Sequence, residues 1–319
     1  MVKAAPATVG SHQVLQRRKD LFFVLCMLVV PLLNFLVFWL WPNFRSILIA
    51  FEVPIVDGFT LFNFERFFYE LKDPVSSPMM WKMIDNSFIM FVVGTFVNLP
   101  LVLFMSYVMF KKVAGYKVFR VLFYLPSIVG GTVMSQIFKS MVQTNGPIEI
   151  LLGALHVPLN ANIEYRGLIG ASETGMLMMV IYTLWTGVGT NMIMFTGAMN
   201  RVPQDIFESA RIDGIGFFRE FFNIILPLIW PTVTTMVVFS MVGVFSNSGI
   251  VMLLCKDVKE CWNVGYYILK FTLGANGTAK AIDGFSYPAA IGLIFTLVNM
   301  PLVFGTKAIC DRIGKNVEY

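Results

Sequence analysis

Long apolar runs alternate with short polar segments along the 319 residues of this chain. A helix rises 1.5 Å per residue, so about 20 apolar residues cross a hydrocarbon core of about 30 Å. The runs that approach this length are Leu21–Trp41, Asn86–Phe110, Val121–Phe138, Thr174–Asn200, Leu228–Leu254 and Phe285–Thr306. We predict six transmembrane helices, because barrel strands would be about half as long and would alternate polar with apolar residues.

The composition agrees with this pattern. Hydrophobic residues make up 57% of the chain and charged residues only 13%. We therefore predict an all-α, polytopic membrane protein with one membrane domain over residues 21–312. Short tails, residues 1–20 and 313–319, are predicted to flank it, and a polar loop over residues 201–227 interrupts it.

The positions of Lys and Arg predict the orientation. With the N-terminus inside, the cytoplasmic segments carry 14 of the 24 basic residues but only 7 of the 19 acidic ones. By the positive-inside rule, both termini and the 201–227 loop face the cytoplasm. Most of the net charge of +5 is then ordinary topology charge and does not indicate nucleic-acid binding.

If this chain moves a solute uphill, the sequence predicts that the energy comes from another subunit. None of the six predicted spans contains an Asp, Glu, Lys, Arg or His, whereas proton-coupled carriers need such groups as relays. No G-x-x-x-x-G-K-[ST] sequence is present for ATP binding. A sodium site made of backbone carbonyls remains open.

His12 and His156 are isolated, and no hydrolase or zinc motif accompanies them, so we predict a protein without catalytic residues or metal ligands.

The 201–227 loop carries a short amphipathic helix. Pro203 is suited to begin it, Asp205 lies in its first turn, and Gly214 is expected to break it and to create an elbow. Such a helix either docks on a cytoplasmic partner or lies on the membrane surface. The acidic Glu208 and Asp213 would be repelled by the anionic inner leaflet, which argues against the membrane-surface alternative.

This loop resembles the E-A-A-x-x-x-G-x9-I-x-L-P signature of permease subunits in bacterial ABC importers. The residues that carry the resemblance are Glu208, Ala210, Gly214, Ile224, Leu226 and Pro227, with Asp213 as in the carbohydrate branch. Ser209 stands where the family usually has alanine, directly after the glutamate.

Other stretches are similar to the carbohydrate branch of that family. They are Asn63-Phe64, Asp73-Pro74, Trp81, Asn86-Ser87, Tyr124-Leu-Pro126 and Asn145-Gly146. The long first outer loop and the C-terminal tail look like those of the first permease of maltose transporters. Residues 255–284 fit the family less well.

The resemblance implies a type I ABC importer permease fold in a bacterial inner or plasma membrane. Two permease subunits would form a heterodimer, two ATPase subunits would bind ATP and Mg²⁺, and an extracytoplasmic binding protein would deliver the solute. The residues implied in ATPase coupling are Glu208, Ser209, Ala210, Asp213, Gly214, Phe217 and Phe218. The aromatic residues after Gly214 would anchor the coupling helix to the bundle.

Two helical faces are candidates for the translocation path, because sugar recognition needs hydroxyl, amide and aromatic groups at midplane depth. In the fourth span these are Tyr182, Thr183, Trp185, Thr186, Gly187 and Thr190, and in the fifth Ser240, Gly243, Val244 and Asn247. Small and hydroxylated residues also serve helix packing, so that alternative stays open.

Cys255 and Cys261 share the third outer segment. They either form a disulfide or remain two free thiols.

The predicted function is passage of a neutral sugar or oligosaccharide through an ATP-driven importer. The alternatives are a related importer for another small solute, such as glycerol phosphate, and a membrane scaffold or channel that does not transport.

Overall fold

The computed structural model describes residues 23–53, 56–156, 161–274 and 284–314. The predicted N-terminal tail, residues 1–20, and residues 315–319 of the C-terminal tail lie outside these ranges.

Helices account for most of the described chain. They are α1 Phe23–Ile49, α2 Phe62–Lys72, α3 Ser77–Phe110, α4 Tyr116–Ile128, α5 Gly131–Val142, α6 Pro147–Ala154, α7 Ala161–Gly170, α8 Gly175–Met199, α9 Gln204–Ile212, α10 Phe217–Leu228, α11 Trp230–Val242, α12 Gly249–Leu254, α13 Val264–Gly274 and α14 Ser286–Gly314. Two short antiparallel strands, β1 Glu52–Val53 and β2 Val56–Phe59, pair with Glu52 opposite Phe59.

Four helices, α1, α3, α8 and α14, are long and apolar enough to cross a membrane. Two further spans arise if each bent pair is counted as one: α4 with the helices that follow it, at 104°, and α10 with α11, at 72°. The predicted class, a polytopic helical membrane protein, is confirmed. The count of six spans and the placement of the termini remain predictions.

The predicted third span, Val121–Phe138, is wrong as a single helix. The chain leaves the helical conformation at Val129 and Gly130, whose ψ angles are 135° and 137°. Pro126 lies in the last turn of α4 and has no N–H to donate, which weakens the helix just before the break. The hydropathy pattern misses this break because both halves are apolar.

The predicted fifth span, Leu228–Leu254, is also wrong as one helix. A break at Ile229 precedes α11, which already ends at Val242, and helical structure returns only with α12. Gly243 and the sequence Ser246-Asn247-Ser248 lie in this gap. Ser and Asn bond to nearby backbone and so compete with helix formation, and Gly adds backbone entropy.

The other predicted spans are helical. Helix α8 matches the prediction Thr174–Asn200 to within one residue at each end, and α1, α3 and α14 extend beyond theirs. Polar turns lengthen α3 through Lys82 and Asp85 and α14 through Asp311 and Arg312. Hydropathy finds only the apolar part of a helix, so such turns escape it.

The buried residues form two clusters at opposite ends of the bundle. One contains Met178, Met179 and Tyr182 from the first half of α8, together with residues of α2, α3, α5, α7 and α11–α14. The other contains Met192 and Phe195 from the second half of α8, together with residues of α3 and α9–α11. Helix α8 therefore connects the two ends through continuous packing.

Two glycines of α8 allow neighbouring helices to approach closely. A Cβ at Gly187 would lie 2.5 Å from Nδ2 of Asn98 in α3, where residues Val93–Asn98 form a π-helical turn. A Cβ at Gly189 would collide with Oγ of Ser127 and lie 2.8 Å from the carbonyl oxygen of Phe123 in α4. Small residues at such crossings are typical of membrane bundles.

We expect Gly189→Ala to destabilise the protein by about 1–3 kcal/mol, because the added methyl group meets backbone atoms of α4 that cannot move aside. The matched control is Gly197→Ala in the same helix, where a Cβ has no neighbour within 4 Å. Thermal unfolding midpoints in detergent measure the difference. Equal midpoints for the two variants would contradict the described packing of α4 on α8.

Candidate functional site

Helix α9 is a short amphipathic helix at one end of the bundle. It begins after Pro203, whose ψ of 139° is non-helical, with Asp205 in its first turn and Arg211 in its last. An acid at the N-terminus and a base at the C-terminus both complement the helix dipole. The sequence thus gives this helix a start and an end of its own, without help from an adjoining span.

Helix α9 ends at Ile212, and Gly214 two residues later forms the predicted break. Ile215 N donates to the carbonyl oxygen of Ala210 at 3.0 Å, and Gly214 N donates to that of Arg211 at 3.1 Å. This pair of bonds is a Schellman motif, which needs a left-handed residue at its centre. Gly214 has φ 68°, a conformation that glycine adopts without steric cost. The following residues turn into α10 and complete the elbow.

The two faces of α9 have different environments. Phe207 and Ala210 are buried against the bundle, and Ile206 is half-buried. The exposed side chains are Gln204, Asp205, Glu208, Ser209, Arg211, Ile212 and Asp213. Of the predicted coupling residues, Glu208, Ser209, Asp213 and Gly214 therefore lie on the surface, whereas Ala210 packs inward.

Ile212 is a residue that the sequence analysis missed. It is 86% exposed and lies beside the acidic residues on the outward face. It is a large aliphatic side chain on an otherwise polar face. The position of Ile212 on the polar side of the helix could have identified it from the sequence.

Aromatic residues attach the segment after the elbow to α3. Tyr107 is completely buried, and its hydroxyl donates to the carbonyl oxygen of Phe217 at 3.2 Å. Its ring centroid lies 4.7 Å from that of Phe217 and 5.0 Å from that of Phe221. Phe218, which is exposed, stacks on Phe104 at 6.2 Å. These contacts agree with the predicted anchoring role of the aromatic residues.

A buried ion pair reinforces this attachment. Lys111 Nζ at the end of α3 lies 2.5 Å from Glu220 Oε1 in α10, and both side chains are largely buried. The same ammonium group lies 5.5 Å from the ring centroid of Phe207 in α9. One cation thus contacts residues on both sides of the elbow. Sequence reasoning missed this pair, although an acid within the Phe217–Phe222 aromatic run could have indicated it.

A cavity of about 200 Å³, with apolar and polar lining residues, lies between α3, α8, α11 and α12. Five predicted path residues line it: Thr183, Ser240, Gly243, Val244 and Asn247. Ser87 and Asn263 add polar groups that the prediction did not include, and Met90, Phe91, Gly94, Phe239, Ile250 and Val251 complete the lining. No charged residue is among these lining residues.

The remaining predicted path residues lie elsewhere on α8. Tyr182 is buried and donates to the carbonyl oxygen of Gly131 at 3.3 Å, and Thr186 donates to its own helix at 2.8 Å. Gly187 packs on Asn98, Trp185 lies near Phe138, and Thr190 is exposed. The structure does not bring these five residues into the cavity.

Cys255 and Cys261 lie side by side in the buried cluster near the cavity, as two separate thiols. Both sulfur atoms approach Gly175, where a Cβ would lie 2.7 Å from Sγ of Cys261 and 4.0 Å from that of Cys255. The hydrogen bond to Cys261 and burial raise the pKa of the Cys255 thiol above its ordinary value. The protonated thiol is a poor nucleophile. A disulfide between Cys255 and Cys261 stays a prediction, and its formation would require an oxidant.

The helical bundle, its cavity and the exposed helix α9 at one end of the bundle are together typical of a multi-pass membrane permease. The chain belongs to the family described as the binding-protein-dependent transport system inner membrane component, whose model matches residues 14–317.

The relatives of this chain include several sugar permeases. It is 26% identical over 266 residues to the arabinooligosaccharides transport system permease protein AraP of Bacillus subtilis, covering 83% of this chain and 81% of that protein. It is 29% identical over 256 residues to the maltose/maltodextrin transport system permease protein MalF of Escherichia coli, covering 77% of this chain and 48% of the longer relative.

Solved structures share the fold. A chain of a bacterial ABC transporter involved in the import of the acidic polysaccharide alginate superposes with a TM-score of 0.77 at 17% identity, covering 94% of this chain and 99% of that one. A second structure, of bacterial alginate ABC transporter in complex with alginate pentasaccharide-bound periplasmic protein, gives the same TM-score at 16% identity.

We expect Glu220→Gln to destabilise the protein by about 3 kcal/mol, because it leaves the Lys111 ammonium unpaired in a site with little water. The double variant Lys111→Met with Glu220→Leu is expected to recover much of that loss. Thermal unfolding of the purified protein measures both effects.

The control for this prediction is Glu52→Gln, which removes the exposed ion pair between Arg45 and Glu52 and is expected to cost less than about 1 kcal/mol. If Glu220→Gln is as mild as Glu52→Gln, the Lys111 pair does not stabilise the elbow.

Proposed function

We propose that this chain is the membrane-spanning permease subunit of an ATP-driven, binding-protein-dependent importer and forms the path for a neutral sugar or oligosaccharide. The observation that carries the proposal is the exposed polar face of α9, which ends in the glycine elbow and is fixed to the bundle through its opposite face. Membership of the permease family supports the same role.

The proposed topology has six spans, with both termini and α9 in the cytoplasm. The bent pairs α4–α5 and α10–α11 each count as one span in this topology. The membrane domain covers residues 21–312, the coupling loop covers residues 201–227, and the membrane is a bacterial inner or plasma membrane. The charge asymmetry of the loops supports this orientation.

The proposed partners are a second permease subunit, two ATPase subunits and an extracytoplasmic binding protein. Each ATPase binds ATP and Mg²⁺, and one of them receives the outward face of α9. Glu208, Ser209 and Asp213 supply polar contacts there, and Ile212 supplies an apolar anchor of the kind that dominates binding energy at interfaces. The most apolar part of helix α1 has no buried residue, so it leaves a large surface for lipid or for the second permease.

The lining of the cavity supports an uncharged substrate. The Ser240 hydroxyl, the Asn247 amide and the remaining acceptor capacity of the Thr183 hydroxyl suit sugar hydroxyls. Phe91 and Phe239 supply flat apolar surfaces beside them. An acidic sugar or a glycerol phosphate would need a cation that these lining residues do not provide.

The packing of α8 supports a rigid-body mechanism. Its second half contacts the cluster that holds α9, and its first half contacts the cluster around the cavity. Movement of the ATPases against α9 would therefore tilt α8 together with the cavity wall, which is the general scheme of alternating access.

We expect Glu208→Lys to abolish co-purification with the ATPase subunit and to reduce sugar uptake at least about tenfold, because it reverses a charge at the centre of the outward face. Ile212→Asp should act in the same direction by removing the apolar anchor. The control is Asp311→Lys, an exposed charge reversal in α14. If both Glu208→Lys and Ile212→Asp retain ATPase binding, α9 is not the docking helix.

We expect Ser240→Phe to reduce uptake at least about tenfold while the ATPase remains bound, because the ring would fill much of the cavity. The matched control in α11 is Thr235→Phe, where the native side chain is exposed and bonds only to its own helix. Uptake of a panel of radiolabelled oligosaccharides gives the measurement. Unchanged uptake in Ser240→Phe would show that the solute passes elsewhere.

A further inference from the structure

Residues 111–120, here termed the basic turn, join α3 to α4 at the α9 end of the bundle. The sequence contains no acidic residue between positions 86 and 148. The cations of the basic turn are Lys111, Lys112, Lys117 and Arg120. Lys111 is paired with Glu220. The other three cations are exposed, and no ion pair among the described residues includes any of them.

The backbone of the basic turn is tightly folded. Lys112 has φ 52° and Gly115 has φ 85°, so two left-handed residues reverse the chain within four positions. Tyr116 N donates to the carbonyl oxygen of Val113 at 2.9 Å and closes the turn. The reversal places Lys112 next to the first turns of α4, where the other two unpaired cations lie three residues apart. Residues at this spacing are neighbours on a helix surface.

Helix α4 continues from these cations as an exposed aliphatic surface. Of its residues, all of which the structure describes, Pro126 alone is buried. Phe123 and Ser127 meet α8 at Gly189. The outward side consists of large aliphatic side chains that are between 49% and 80% exposed: Val118, Val121, Leu122, Leu125 and Ile128. At 1.5 Å per residue, this aliphatic stripe is about 15 Å long, which is half the thickness of a hydrocarbon core.

A stripe of this length matches one leaflet. Helix α4 ends before Val129, and the unpaired cations lie directly before the stripe or in its first turn, at the level of the lipid headgroups. Basic side chains at such a boundary extend toward the headgroups while their apolar stems stay in the hydrocarbon.

One class of molecule fits both parts of this surface. A soluble ATPase could neutralise the cations but could not cover a stripe within the membrane. An apolar helix of a second permease would cover the stripe but would leave the cations unpaired. A phospholipid with a net negative headgroup carries an anion and apolar chains in one molecule, in the order that α4 presents their partners.

We propose that the basic turn and the outward side of α4 form a binding site for an anionic phospholipid. Lys112, Lys117 and Arg120 bind the headgroup, and the aliphatic stripe contacts the acyl chains. The choice of leaflet rests on the proposed function, whose topology places this end of the bundle at the anionic cytoplasmic surface. Because Lys111 of the same turn pairs with Glu220, lipid bound here also stabilises the attachment of the elbow.

Lipid titration followed by native mass spectrometry tests the site. The full-length chain, with any subunits that co-purify, is titrated in neutral detergent with phosphatidylglycerol and with phosphatidylcholine of equal chain length. Each basic residue near an anionic headgroup contributes about fivefold in affinity, so the triple variant Lys112→Gln, Lys117→Gln and Arg120→Gln should bind phosphatidylglycerol about a hundredfold more weakly. The charge-retaining variant Lys112→Arg, Lys117→Arg and Arg120→Lys should bind it as the parent does.

The matched control removes three exposed cations from the same end of the bundle: Arg201→Gln, Lys307→Gln and Arg312→Gln. Each of these has an acidic residue within four positions in the sequence, so this variant should keep the preference for phosphatidylglycerol. Thermal midpoints without added lipid verify that both triple variants are folded. Equal affinities of the parent for the two lipids, or an unchanged affinity in the variant of the basic turn, would overturn the site.

Glycerol phosphate in excess distinguishes a lipid from a free phosphate. It should displace little phosphatidylglycerol, because it has no acyl chains to contact the stripe. Displacement as effective as that by phosphatidylglycerol itself would show a site for soluble anions and refute the lipid. Loss of ATPase binding in the variant of the basic turn, with unchanged lipid affinity, would assign the cations to the ATPase interface and also refute the lipid.

The titration does not depend on transport, which separates this inference from the proposed function. A preference for phosphatidylglycerol that the variant of the basic turn loses, in a chain that supports no sugar uptake, would retain the lipid site and refute the importer. Sugar uptake by a complex that binds both lipids equally would retain the importer and refute the lipid site.

Discussion

The attachment of α9 to the end of α3 is the constraint on which the rest of the structure depends. A short amphipathic helix can pass on a displacement only if its inner face is held rigidly. The Lys111 ammonium lies against Phe207 of that face. The Tyr107 hydroxyl, the rings around it and the Lys111–Glu220 pair hold α10 directly after the elbow. A proline before the helix and a glycine after it make α9 independent of the neighbouring spans. The elbow and the aromatic anchor are thus two parts of one joint.

From this joint, packing continues to the other end of the bundle through α8. Gly187 and Gly189 let the side chains of Asn98 in α3 and Ser127 in α4 pack directly on the backbone of α8, so the three helices should move together. The cavity lies beyond that contact. The break after Val242 places non-helical backbone at the cavity, which Gly243, Val244 and Asn247 line. Such breaks are tolerated in membrane proteins where other protein groups satisfy the backbone.

The sequence predicted features that depend on local composition. Apolar runs located α1, α3, α8 and α14, and the Pro203 and Gly214 positions located both ends of α9. The helix breaks in the third and fifth spans escaped prediction, because tertiary contacts decide whether a Gly or Ser stretch bends. Ser87 and Asn263 were missed as cavity residues because they are about 175 residues apart in sequence and only the folded chain brings them together. The Lys111–Glu220 pair is long-range in the same sense, and helical periodicity carries no information about such partners.

The central claim, that the elbow faces the cytoplasm and receives an ATPase, is tested most directly by labelling a cysteine placed at Asp213 with a membrane-impermeant maleimide. Right-side-out and inverted vesicles are compared, with and without bound ATPase subunits, in a background that lacks the exposed native thiol of Cys26. The account predicts labelling in inverted vesicles alone and protection when the ATPase is bound. Labelling in right-side-out vesicles, or no protection by the ATPase, would contradict it.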